Sequence, residues 1–209
     1  MTTYLVPAAC GEAEYVEKKS RFISRVWPIE SEEEALFHIE AMRKQHYDAT
    51  HNVYAYILRE NGIMRYSDDG EPSGTSGQPT LNVFRAEGIQ NVCCVVTRYF
   101  GGILLGAGGL VRAYSAAAKM GLDAAGISMM AQWEKTAVVC SYSQYERVKR
   151  LLDDCEAVTE DTDFAADVTF SALIRADRAG DFRRALTNMT AGTALCSGGE
   201  QVFRAVRVK

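Results

Sequence analysis

The alternation of apolar and polar positions divides the chain into short segments. Tyr15–Val26 has the period of two expected of a strand. Ser31-Glu32-Glu33-Glu34 has the form of a capping box, in which Ser31 bonds a free amide and Glu34 reaches back. Leu36, Ile39 and Met42 then repeat at helical spacing and predict a helix to about Tyr47. Asn52–Arg59 and Asn91–Arg98 are apolar on both alternations, as strands covered on both faces should be. Asn61-Gly62 is a hairpin signal leading into a short strand at Ile63–Tyr66. Leu110, Val111, Tyr114, Ala118, Leu122 and Ala125 mark one face of a helix over Gly109–Ala125.

After residue 130 the periodicity is cleaner. Ala137–Tyr142 predicts a strand and Gln144–Asp154 a helix with Val148, Leu151 and Leu152 inward. Ala157–Glu160 and Asp167–Ile174 predict a hairpin whose turn includes Asp161-Thr162-Asp163. Asp177–Met189 predicts a second helix stopped by Gly192, and Val202–Val208 a last strand. The order βαββαβ is that of the ferredoxin-like split arrangement.

Composition sharpens this division. All four prolines lie in the first 80 residues, and eleven of the 17 glycines fall between Gly70 and Gly126. The expected architecture is α+β in two domains, residues 1–130 and 131–209. A formal charge of −4 disfavours a globally basic nucleic-acid binder but leaves room for a local basic stripe. The N-terminus lacks the pattern of a signal peptide, and no apolar run is long enough for a membrane span. The six cysteines mostly sit in apolar stretches and read as buried thiols, so a cytoplasmic protein is expected.

Two stretches do not read as scaffold. Residues 67–79 concentrate Asp68, Asp69 and Glu71 with Gly70, Gly74, Gly77 and the hydroxyls of Thr75 and Ser76. Such a loop offers oxygen ligands to a cation, or amides and hydroxyls to an anion, or only turn chemistry. In the second, a buried strand ending at Arg98-Tyr99-Phe100 runs through Gly101, Gly102, Gly106, Gly108 and Gly109 into a helix carrying Arg112 and Tyr114. Glycine backbone and free amides at a helix start favour an anion, and Arg98 and Arg112 add positive charge. The bland counterpart is that the glycines let the helix pack tightly on the sheet.

Other chemistries thin out. Walker A would need Lys where Ala107 stands, and the dinucleotide fingerprint from Gly106 would need Gly where Val111 stands. There is no Gly-x-Ser-x-Gly elbow, Cys-x-x-Cys pair or His-Glu-x-x-His helix. Cys93 and Cys94 should point to opposite faces of their strand, His38 and His46 to solvent, and His51 reads as structural. The cations Arg147, Lys149 and Arg150, and Arg175, Arg178, Arg183 and Arg184, are interspersed with acids and read as solvated faces.

Ser67-Asp68-Asp69-Gly70-Glu71-Pro72 with Gly74–Pro79, and Arg98–Gly102 with Gly106–Tyr114, closely resemble the two signature stretches of the IMPACT/YigZ family. The likeness covers essentially the whole chain. It implies a signature domain like the second domain of a small-subunit ribosomal protein, and a tail like the final domain of elongation factor G. The eukaryotic members look like translation regulators, which bind the activator of a stress kinase and carry an extra N-terminal protein-binding domain. What carries over is therefore a translation-linked or RNA-contacting role. Leu104 stands where some members place Lys, which removes a possible phosphate contact.

The resulting expectation is a non-enzymatic binding or regulatory protein without a cofactor or an assigned catalytic residue. It would contact RNA, the ribosome or a translation-associated protein, and no membrane. Its ligand site would comprise Asp68, Asp69, Gly70, Glu71, Gly74 and Ser76 from the acidic turn. The glycine stretch would add Arg98, Tyr99, Gly101, Gly102, Gly106, Gly108, Gly109, Arg112 and Tyr114. The alternative is a metal- or phosphate-dependent enzyme acting on a small phosphorylated substrate or nucleotide, with the three carboxylates as ligands or as acid and base. Whether the loops take a metal or an anion stays open at this point.

Overall fold

The computed structural model describes residues 3–208, a mixed α+β chain with two sheets and five α-helices. By internal packing these residues form two units: Tyr4–Met129 with Arg207 and Val208, and Thr3 with Met130–Val206.

The first unit begins with β1 (Tyr4–Pro7), whose Leu5 forms a parallel bridge to Ile89. Its sheet has the order β2-β3-β6-β4-β5 and every neighbouring pair is antiparallel. The strands are β2 (Gly11–Glu17), β3 (Ser20–Pro28), β4 (His51–Leu58), β5 (Ile63–Ser67) and β6 (Val92–Tyr99). The single strand predicted over Tyr15–Val26 is thus a hairpin, turning at Lys18-Lys19 where neither residue signals a turn. Helix α1 (Glu32–Gln45) covers one face, and α2 (Gly77–Ala86) and α3 (Gly106–Ala125) cover the other.

Burial on both sides explains why β4 and β6 read as unbroken apolar runs. Cys94 joins the core under α2 and α3 while Cys93 joins the core under α1, as strand alternation requires. Ser31 caps α1 by accepting from Glu34 N at 3.2 Å, and Glu34 Oε2 accepts from Glu30 N at 2.7 Å. Helix α3 packs closely on β3: a Cβ on Gly121 would meet Ser24 Oγ at 2.3 Å. His38 and His46 do not face solvent freely. His38 stacks on Trp27 with ring centroids 4.6 Å apart, and His46 Nδ1 lies 2.9 Å from Tyr99 Oη.

The second unit takes in β7 (Ile127–Cys140) from Met130 onward, α4 (Tyr145–Asp154), β8 (Val158–Phe164), β9 (Val168–Arg175), α5 (Ala179–Thr190) and β10 (Leu195–Arg207) as far as Val206. Its sheet has β7-β9-β8 with β10 on β7, under Val148, Leu152, Phe182 and Leu186 of the two helices. Asp161-Thr162-Asp163 lie inside β8 instead of forming the turn. They belong to an edge strand whose polar side chains face water, which imitates a turn in sequence. Strand β10 starts earlier than predicted because Gly198 is strand, not loop: a Cβ there would sit 2.7 Å from Glu134 Oε1.

Candidate functional site

The acidic turn is organised by Asp68. Its carboxylate accepts from Gly74 N (2.8 Å), Ser76 N (3.2 Å), Ser76 Oγ (2.7 Å) and Gly77 N (2.8 Å). Gly77 opens α2, and Ser76 makes no side-chain cap of its own, so Asp68 caps this helix from eight residues upstream. Burial pushes its carboxyl upward, but the donated hydrogen bonds from Gly74, Ser76 and Gly77 outweigh that and hold it below its ordinary value. Helix α2 was missed in the sequence because Gly77 and Pro79 read as loop, although proline is tolerated in a first helical turn.

Asp69, with a left-handed φ of 47°, turns its carboxylate onto Asn52 N at 2.6 Å. Its carbonyl lies 2.7 Å from His51 Nδ1. A carbonyl can only accept, so Nδ1 carries the proton and Nε2 is the nitrogen left to interact elsewhere. The three carboxylates therefore do not converge as a ligand set. Asp68 is saturated by donors, Asp69 is spent on the backbone of β4, and only Glu71 turns inward.

Glu71 joins the two signature stretches. Arg98 Nη1 and Tyr114 Oη both donate to Glu71 Oε1 at 2.7 Å, and all three residues are buried. Burial, then the Glu71 charge, push the Tyr114 hydroxyl well above its ordinary pKa, which keeps it a donor. The Arg98 guanidinium lies 5.4 Å from the ring centroids of both Phe22 and Phe100, and its Nε has no partner. The sheet register dictates this grouping, because Phe22, Arg98 and His51 stand directly opposite one another on β3, β6 and β4. His51 Nε2 lies 3.8 Å from Glu71 Oε2.

Above this network is a cleft of about 360 Å³ between the acidic turn and the start of α3. It is lined by Thr50, His51, Gly70, Glu71, Pro72 and Arg98 together with Phe100, Leu104, Leu105, Gly106, Ala107 and Leu110. Gly106, with φ of +70°, and Gly108 have open space where a Cβ would stand, or only ordinary contact. Tight helix packing needs Gly121 rather than these glycines.

The remaining expected residues distribute elsewhere. Gly74 and Ser76 serve Asp68, and Tyr114 supports Glu71 from the core. Gly101 packs on Lys19, and Gly102 sits in a left-handed turn with φ of +84°. Tyr99 faces the turn after α1, where its hydroxyl donates to Asp48 at 3.1 Å. Arg98 is committed to Glu71, so it is not a free phosphate ligand. Arg112 and Gly109 border a second cleft of about 220 Å³ with Tyr15, Glu17 and Lys18, which shares only the Leu105 wall with the first. Thr50 and His51 were missed as cleft residues; no local pattern marks them, since their position follows from pairing with β6.

Among the described residues no group of three or more His, Cys, Asp or Glu side chains could hold a metal ion, and no helix is long and apolar enough to cross a membrane. In the second unit Arg178 pairs with Glu156 at 2.8 Å and Arg183 contacts Glu134, while Arg147 donates to the Met189 carbonyl at 2.9 Å.

Residues 18–122 match the Impact N-terminal domain, and residues 138–193 match a domain of unknown function, DUF1949. The chain is 35% identical to the IMPACT family member YvyE of Bacillus subtilis, covering 96% of this chain and 93% of that one. It is 32% identical to the IMPACT family member YigZ of Escherichia coli, over 92% and 96% respectively. A crystal structure described as a hypothetical protein is 31% identical, covers 96% of this chain and 98% of its own, and superposes with a TM-score of 0.59.

Proposed function

The chain belongs to the IMPACT family, and from that premise we propose that it is a non-enzymatic binding protein linked to translation, which contacts RNA through its two signature stretches. The observation that carries this reading is the cleft formed where those stretches meet. Its volume of about 360 Å³ lies within the ordinary range for a small ligand site. Phe100 offers an aromatic wall at the mouth and is 45% exposed, while Leu104 stands beside it at 83% exposed. The floor presents His51 and Glu71. Apolar walls over a polar floor suit a nucleobase turned out of a single strand, stacked on the ring and hydrogen-bonded at its edge. Arg112 lies exposed beyond Leu105, where the following phosphate would run. The implied likeness of the signature unit to a ribosomal-protein domain, and of the second unit to an elongation-factor domain, accords with this role.

The test is filter binding of tRNA, ribosomal RNA fragments and ribosomes across a salt series. Affinity should fall with salt and weaken in Phe100→Ala and Arg112→Ala. Affinity indifferent to salt and to both substitutions would reject the reading. Titration calorimetry with magnesium alone should give no heat; saturable heat would instead favour the enzymatic alternative.

A further inference from the structure

The hairpin between β2 and β3 closes at the Glu17–Ser20 pair and turns on two residues, Lys18 and Lys19, with φ of 46° and 68°. Left-handed backbone at both central positions is the type I′ geometry that strand twist favours, and Asn-Gly serves it best. Lysine carries the Cβ penalty there twice. Both side chains are exposed, and neither has a carboxylate partner within salt-bridge distance among the described residues. The neighbouring Glu17 is turned away along β2, where it accepts from the Tyr15 hydroxyl at 3.0 Å. A turn built against local preference, with no partner for its side chains, points to what those side chains present.

The tip is held against the glycine stretch. A Cβ on Gly101 would lie 2.1 Å from the Lys19 carbonyl carbon, and Ser20 Oγ accepts from Gly101 N at 3.1 Å. Lys18 shares the second cleft with Arg112. Lys18, Lys19 and Arg112 thus form a fringe of free cations beside the signature loops, in a chain of net charge −4.

We infer that the Lys18-Lys19 tip is a phosphate-binding element for single-stranded RNA whose base enters the adjoining cleft; this rests on the RNA reading above. The test replaces the pair with the residues the turn itself favours, Lys18→Asn with Lys19→Gly. Relief of strain should raise the melting temperature by a few degrees. Affinity for fluorescent polyuridylate should fall at least tenfold at low salt. The log–log salt slope should shrink by about 1.4, from roughly 0.7 per phosphate released. Lys149→Ala on α4 should change neither quantity. Undiminished affinity in a variant that melts higher overturns the inference and leaves the RNA reading standing. A lower melting temperature would assign the lysines a structural role and overturn it too. Wild-type protein with no affinity for polyuridylate overturns the inference, while the tRNA and ribosome series above decides the RNA reading.

Discussion

Arg98 and Glu71 form a buried ion pair at 2.7 Å that ties the end of β6 to the acidic turn. Because both charges are removed from water, breaking the pair is costlier than never having it. Arg98→Met should destabilise the protein by ~3–5 kcal/mol, since it leaves the Glu71 carboxylate unpaired. The double variant Arg98→Met/Glu71→Gln should recover part of that loss. Urea unfolding of the two singles and the double checks this; strictly additive losses would show that the pair is not coupled.

Tyr114→Phe keeps the ring, which meets Phe22 edge-on with centroids 5.1 Å apart, and deletes only the donor to Glu71. The expected loss is about 1–2 kcal/mol. The same unfolding measurement applies, and a neutral substitution would mean that Arg98 alone satisfies the carboxylate.

Asp68 should reveal itself through acid. Its carboxyl is held below the ordinary value in the folded protein, so its contribution is complete above the unfolded pKa near 4 and disappears as pH falls through the folded one. Asp68→Asn should therefore cost about 2 kcal/mol at neutral pH, through the weakened cap on α2, and progressively less as pH drops below about 4. Thermal melts from pH 7 to 3 compare the two proteins. A difference that does not narrow on acidification would reject the cap.

Two glycines of α3 should behave oppositely. Gly121→Ala places a Cβ 2.3 Å from Ser24 Oγ and 3.0 Å from Val26 Cγ2, so α3 must lift from the sheet at a cost of roughly 2–3 kcal/mol. Gly108→Ala meets only Arg112 Nη1 at 3.6 Å and gains helix propensity, stabilising by up to about 1 kcal/mol. On the proposed function, the stabilised Gly108→Ala protein should bind RNA less well, because the methyl group stands at the exposed helix start. Melting temperature and filter binding on the same preparations decide it.

Much of this architecture is legible before folding is considered. Strands β4 and β6 announce burial on both faces through unbroken apolar runs, and the Ser31–Glu34 pattern marks the start of α1. The features that escaped are those in which local chemistry points the wrong way. Lys18-Lys19 does not resemble a turn, the polar edge strand β8 does, and the first turn of α2 hides behind Gly77 and Pro79.

By itself the sequence determined most of the strands and helices, and singled out residues 67–79 and the glycine stretch after Arg98 as unlike the rest of the scaffold. Those properties are set by periodicity and residue type within a few turns of chain. Only the tertiary structure decided how the charges are used. Asp68 is consumed by a helix start, Asp69 by the backbone of β4 and Arg98 by Glu71, while His51 enters the cleft from a strand that gave no sign of it. The physical reason is that partners such as His51 and Arg98 meet through sheet register across 47 positions (98 − 51), and no local pattern encodes which side chain will stand opposite.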